Sequence, residues 1–408
     1  MIHPFEERYR TSVADLFEEE ARIGFMVDVE VALAHTHYNL GLLTEDEYHS
    51  IREGARSVTA QKVKNIEKMT HHDIMALVQA LTEASGCDKV HIGATSQDIN
   101  DSALGLQMKK ANEVILQDLH KLKDILLKKA EETKHLVCIG RTHGQHALPM
   151  TYGLRFALWA YEVNEVIEDL SKTKFYGKMK GAVGTYASFA ELNENGVEVE
   201  RNVLTQLGLE IPLVANQVVP RLFIAKYLFN LISTACLIEK IGNEIRNLQR
   251  TEIMEVGEPF GSKQTGSSTM PHKRNPHKSE NLCALAKRLR TNILPALENI
   301  SLEHERDLTN SANERIIIPE TIILTHYMIL QAVYILKDLE FFEENIKGNL
   351  LKQPDILMEK RMMQLIKEGY GRQEAYQAAK KTLYEANVPS SYLGLAVETT
   401  ENVIEVLR

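Results

Sequence analysis

The 408-residue chain is 44% hydrophobic and 25% charged, a balance that excludes a disordered protein. Its 47 Lys and Arg against 56 Asp and Glu leave a net charge of −9, which argues against nonspecific nucleic-acid binding; any bound anion must be gripped by a local cluster. The length exceeds what one ordinary core supports, so two or three domains, or one elongated one, are expected. The first residues, MIHPFEERYR, are charged throughout with no apolar centre and are not a signal peptide. Up to about residue 90 the pattern is of short amphipathic helices broken at Gly24, Gly41 and Gly54.

A long helix is then predicted. Leu104, Met108, Ala111, Ile115, Leu119, Leu122 and Leu126 step by four and three, with Asp101 or Ser102 as the cap and an end near Thr133, roughly 45 Å in all. A second runs between Pro220 and Pro259 on Leu228, Leu231, Ala235, Ile238, Ile241, Ile245 and Leu248. A third follows Pro319 through Ile323, Tyr327, Leu330, Val333 and Leu336 toward Phe342. The uncharged stretch Thr321–Leu336 is interrupted by Thr325, His326 and Gln331 and falls short of the roughly twenty residues of a bilayer span, so a buried helix is expected and no membrane partner. The tail beyond about 340 is helical, with interruptions near Pro354, Gly369 and Pro389. Rods of this length bury their apolar stripes only against one another, which predicts an all-α bundle that assembles with further copies. Cys87, Cys138, Cys236 and Cys283 are scattered without a CxxC pair, which suits a reduced, cytoplasmic setting rather than a disulfide framework or a zinc ribbon.

Four polar segments interrupt the helices: MTHHD (69–73), GATSQDIND (93–101), GRTHGQHALP (140–149) and GSSTMPHKRNP (266–276). GATSQD has the composition of a helix cap, HHD that of a surface patch. The two histidines of THGQH are three apart, a spacing open to a metal, but no carboxylate or cysteine accompanies them and no metal is expected. In GSSTMPHKRNP several unhindered backbone N–H groups precede Lys273, Arg274 and Asn275, which lie between two prolines. Such a segment suits a carboxylate or phosphate, and equally a basic surface loop.

GSSTMPHKRNP resembles the signature of the fumarase/aspartase superfamily of lyases, and its Lys-Arg-Asn-Pro ending is similar to that of the adenylosuccinate lyase family. THHD, GATSQD, GRTHGQHALP, GAVGT (181–185), NEIRNLQRTEI (243–253), ERDLTNSANERI (305–316) and GYGRQEAYQ (369–377) agree with that match in the expected order. The resemblance implies a three-domain all-α fold, divided here as 1–92, 93–340 and 341–408. The central long helices of four chains would form a twenty-helix tetramer core, with each active site shared between subunits. It implies anti elimination of fumarate from a succinyl-purine nucleotide, and no cofactor. Ser267 would be the general base, His143 the general acid, Glu280 the carboxylate paired with that histidine, and Lys273 and Asn275 the stabilisers of the carboxylate as charge builds on it. His72 matches a second histidine near the phosphate, flanked by His71 and Asp73. Arg8 and Tyr9 match nucleotide contacts, Thr95 and Ser96 the succinyl-carboxylate pair, and Arg306, Ser311 and Arg315 a phosphate- and ribose-binding run. Gln217 and Ser268 fall on substrate positions too. The family often carries Arg where this chain has His71, so phosphate affinity is expected to weaken as that imidazole loses its proton. Two other readings stay open: a different superfamily lyase or cycloisomerase, such as argininosuccinate lyase or a carboxymuconate cycloisomerase, and a catalytically silent relative.

Overall fold

The computed structural model describes residues 4–261, 266, 269–381 and 389–408. After a short 3-10 turn at Ser12–Phe17, four helices follow: α1 (Glu19–Asn39), α2 (Glu45–Ala55), α3 (Ala60–Thr70) and α4 (Asp73–Ser85). Next come α5 (Ser96–Thr133), a hairpin of β1 (Val137–Thr142) and β2 (Gln145–Thr151), α6 (Tyr152–Ser171), α7 (Ala187–Glu191), α8 (Gly196–Leu207) and α9 (Arg221–Leu248). The rest comprises β3 (Val256–Gly257), α10 (His277–Arg290), α11 (Ile293–Glu298), α12 (Ser311–Lys337), β4 (Glu340–Phe341), α13 (Glu343–Leu351), α14 (Met358–Lys367), α15 (Arg372–Lys380) and α16 (Ala396–Leu407).

The chain divides into two compact units. Unit 1 takes residues 1–117, 169–233 and 288–327; unit 2 takes 118–168, 234–287 and 328–408. The divisions fall inside α5, α6, α9, α10 and α12, so each unit owns a part of each of these helices.

The apolar steps read along α5 and α9 are core. Ala111, Ile115, Leu119, Leu122 and Leu126 are fully buried, as are Leu228, Leu231 and Ala235, with Ile238, Ile241 and Ile245 nearly so. The start of α5 differs from expectation. Asp101 and Ser102 are spent on tertiary partners, Asp101 on Arg221 and Ser102 on the Lys178 backbone. The helix begins at Ser96 instead, where the Asp98 carboxylate accepts the Thr95 N–H at 2.9 Å. Its 38 residues make it about 57 Å long. The third long helix also begins earlier than expected: α12 starts at Ser311 and carries Pro319 inside it. Burial of Glu314, Ile317 and Ile318 keeps the turns before the proline helical despite the lost N–H. Its buried residues, among them Ile322, Thr325, Met328, Ile329 and Ile335, run nearly round the helix, as the buried helix expected from its apolar stretch requires. Gly24 lies inside α1 rather than at a break. Gly54, near the end of α2, leaves room for α4; a Cβ there would stand 2.7 Å from the Ser85 nitrogen.

Two helices, α9 and α12, are long and apolar enough to cross a bilayer by composition, but half and two-thirds of those stretches are buried within the protein.

The candidate active site

Unit 1 gathers most of the residues expected to bind substrate. THHD is the joint between α3 and α4. His71, with φ 51°, ends α3 in the left-handed conformation, and His72 caps α4 by accepting the Met75 N–H on Nδ1 at 3.3 Å. That bond requires Nδ1 to be unprotonated, leaving Nε2 to face outward as the donor. Both imidazoles are exposed. Asp73 accepts the Ile74 N–H at 2.8 Å. Thr95 and Ser96 form the start of α5, half-buried.

Arg306 donates to Gln217 Oε1 at 3.0 Å. The Gln97 amide, assigned with its oxygen toward the guanidinium, accepts from Arg306 Nη1 and Nη2 at 3.1 Å and donates to Asp101 at 3.2 Å. Beneath it lies a buried ionic knot. Arg221 donates to both oxygens of Asp101, at 2.7 and 2.9 Å, and to both of Glu314, at 3.0 and 3.2 Å. Burial, with the Arg221 charge adding to it, pulls Arg306 below the ordinary arginine range, while Asp101, Glu314 and Asp73 oppose. Ser311 and Arg315 occupy the first turns of α12. Tyr9 packs edge-on against Tyr327 with ring centroids 5.0 Å apart, and Arg8 is near enough to act electrostatically on Tyr327.

One residue of this region escaped the sequence reading. His91, with φ 66°, stands two positions before Gly93 and bonds Glu30 at 2.6 Å through Nδ1. Burial opposes the imidazolium, but Glu30, and Asp98 behind it, prevail and raise its pKa above the usual histidine value. A histidine beside GATS was the only signal in the sequence; its partner lies on α1, far away in the chain.

Unit 2 presents the expected proton-transfer groups. GRTHGQHALP, read as a break between helices, is the hairpin itself: β1 and β2 pair antiparallel from Val137↔Thr151 to Thr142↔Gln145. His143 and Gly144, with φ 55° and 75°, are the two tip residues of a type I′ turn, a left-handed pair that favours glycine and puts His143 at an uncommon backbone setting. The register shifts between Ile139 and Arg141, where Gly140 of β1 faces both Ala147 and Leu148 of β2, a bulge on the second strand. The base of the hairpin is anchored by Glu255, whose side chain is fully buried. It accepts from Arg141 at 2.5 Å, Tyr152 Oη at 2.6 Å and Asn349 at 3.0 Å. Burial alone would raise its pKa, and the Arg141 and Tyr152 hydrogen bonds reverse that and hold it below the usual range. His146, opposite Arg141 in the ladder, is lowered by burial and by that guanidinium. Among the described residues no three His, Cys, Asp or Glu side chains converge as a metal would need.

Ser267 and Ser268 lie outside the described residues. Around them, Gly266 is pressed against the Lys273 carbonyl, where a Cβ would come within 2.1 Å, and its own carbonyl accepts from Asn275 at 3.3 Å. Arg274 lies over the Phe260 ring at 5.0 Å, and its carbonyl accepts from Gln249 at 3.2 Å. Buried Glu258 caps α10 through the N–H groups of Lys278 and Ser279, at 3.2 and 2.6 Å. Lys273 is thereby held out to solvent, and Glu280 is exposed on the first turn of α10. Among the described residues Glu280 and His143 share no hydrogen bond.

Residues 7–290 match the family described as Lyase, and 343–385 the one described as adenylosuccinate lyase, C-terminal domain. Among curated relatives, an adenylosuccinate lyase of Pyrococcus horikoshii is 46% identical over 94% of this chain and 87% of its own. Another from Bacillus subtilis is 38% identical over 93% and 88%. Among solved structures, the 3-carboxy-cis,cis-muconate lactonizing enzyme of Pseudomonas putida superposes with a TM-score of 0.86 at 25% identity, covering 99% of this chain and 98% of that one. The β-carboxy-cis,cis-muconate cycloisomerase of Acinetobacter calcoaceticus gives 0.85 at 24% over 97% of each.

Proposed function

The chain belongs to the adenylosuccinate lyase family and has its all-α fold; on that premise we propose how its residues divide the work. The activity is that of an adenylosuccinate lyase, releasing fumarate and AMP from adenylosuccinate, and the same chemistry extends to the corresponding succinyl-carboxamide ribotide. Removing the proton beside a carboxylate is the difficult step, because the charge that builds must be met by donors already in place. Ser267 takes that proton, Lys273 and Asn275 hold the carboxylate, and His143 protonates the departing nitrogen on the opposite face, oriented by Glu280. Arg306, Ser311 and Arg315, with His71, His72 and Asp73, hold the nucleotide's phosphate and ribose. Arg8, Tyr9, Gln217 and Ser268 complete its contacts, and Thr95 and Ser96 grip the succinyl end.

The observation that carries this division is that His143 and Glu280, the acid and its partner carboxylate, are both exposed and unbonded to each other within one chain. Sites assembled from several subunits of a homotetramer account for that. The large apolar side chains left exposed along the long helices, including Leu158, Phe229 and Ile316 at 49%, 57% and 62%, are what an assembly interface covers. The division into domains at residues 92 and 340 belongs to the same reading, and the C-terminal match at 343–385 supports the second boundary. Four free cysteines fit residence in the reducing cytoplasm. The test is complementation. Inactive His143→Ala and Ser267→Ala enzymes, unfolded and refolded together in equal amounts, are expected to regain up to about a quarter of wild-type activity through sites that draw each residue from an intact chain. Mixed tetramers without activity would refute shared sites.

A further inference from the structure

One carboxylate of unit 1 ties together segments that the proposed site uses separately. Asp98 is fully buried in the first turn of α5. Its Oδ2 accepts the backbone N–H of Thr95 at 2.9 Å and of Gly181 at 3.1 Å; its Oδ1 accepts the Lys180 N–H at 3.0 Å and pairs with the fully buried ammonium of Lys178. Both oxygens are needed for this, and a neutral amide, with one oxygen, serves half of it. The 178–186 segment is also held by a second carboxylate, independent of Asp98. Buried Glu200 accepts from the Met179 N–H at 3.0 Å and from Lys180 Nζ and Tyr186 Oη at 2.6 Å. Asp98 therefore contributes the join to Thr95 rather than the segment's existence.

That join closes a ring. From Gly181 the chain passes to Ala182, whose carbonyl accepts from Gln217 at 3.1 Å, and Gln217 in turn accepts from Arg306 at 3.0 Å. From Thr95 the chain passes through Ser96 to Gln97, whose amide oxygen meets the same guanidinium at 3.1 Å. We propose that Asp98 is a positioning residue that sets the spacing between the Thr95–Ser96 turn and Arg306, and so acts on a molecule that spans both while leaving molecules that occupy either one alone nearly unaffected. The proposal rests on the reading that Thr95 and Ser96 take the succinyl carboxylate and Arg306 the phosphate.

Full-length Asp98→Asn protein tests it. The KM for adenylosuccinate is expected to rise by about tenfold or more, since small displacements at a spanning site are costly, while the inhibition constants of fumarate and of AMP stay within about threefold of wild type. Should that variant fail to fold, the double variant Asp98→Asn, Lys178→Met, which leaves no lone buried ammonium, takes the same measurements. Equal losses for substrate and both fragments, no change in any of them, or misfolding of both variants would overturn the proposal. Failure of fumarate or AMP to compete with substrate in the wild type would instead remove the reading beneath it.

Discussion

The two units present their candidate residues in contrasting ways. In unit 1 the binding groups rest on buried charge: Arg306 sits above the Asp101–Arg221–Glu314 knot, and Thr95 hangs from Asp98. In unit 2 the described groups expected to act on the proton, His143 on a hairpin tip and Glu280 on the first turn of α10, are exposed and share no hydrogen bond. The contrast has a physical reason. Groups that bind a fixed shape gain from being held in place, whereas an acid and a base that must meet a substrate on opposite faces, across an assembly, have to be displayed at a surface.

The sharpest way to break this contrast is to remove the two groups proposed to move protons. Ser267→Ala and His143→Ala are each expected to lower kcat by about 10²–10⁴-fold, the latter with unchanged thermal stability, because His143 is exposed and makes no side-chain hydrogen bond or ion pair among the described residues. A stability loss in His143→Ala comparable to that of a core variant would mean the hairpin tip is structural.

Glu255 tests the opposite expectation within the same unit. Glu255→Gln leaves Arg141 without its anion in a largely buried setting, and breaking such a pair costs about 3–5 kcal/mol. Thermal denaturation should show the loss, and kcat should fall more than KM rises, because the hairpin that aims His143 is loosened. A variant with full stability and normal kcat would show that the anchor is not what aims the tip.

A smaller effect belongs to unit 1. The His91 pKa is raised in the folded chain by Glu30, so the pair's stabilisation is complete below the unfolded histidine value of about 6.5 and is lost as pH climbs through the raised folded value. Melting temperatures should decline across that window in the wild type and stay flatter in Glu30→Gln. An identical slope in the two proteins would disconnect the pair from stability.

The sequence made some of this contrast legible. Helix α9 and the end of α5 at Thr133 were readable because their periodic apolar residues are core residues. The hairpin was not, since its alternation is short and GRTHGQHALP carries polar residues and a bulge at Ala147 and Leu148, so the helical context on both sides prevailed. The start of α5 was misplaced because Asp101 and Ser102 have the right chemistry for caps and are used instead across the fold, by Arg221 and by the Lys178 backbone. Pro319 misled for a similar reason: it marks a helix start by local preference, and packing around Glu314 carries α12 past it. The candidate site residues were named through motif resemblance, and the carboxylates that brace the segments carrying or flanking them, Asp98, Glu30 and Glu255, were not, because each acts on residues remote in the chain.

The finest test concerns His71. It ends α3 in a left-handed conformation with its ring exposed, beside His72 and Asp73 and in the unit that holds Arg306. A permanent cation at this place would grip phosphate at any working pH, whereas an imidazole does so only while protonated. The KM for adenylosuccinate in the wild type should therefore rise by a few-fold from mildly acidic to alkaline pH, and His71→Arg should abolish most of that rise. The arginine also has to adopt φ near 51°, a setting that histidine tolerates better than most side chains. A modest drop in melting temperature is thus expected alongside the flatter KM profile. If the wild-type profile is already flat, the phosphate is held by the permanent charges alone, and the rigid half of the site owes nothing to the exposed joint between α3 and α4.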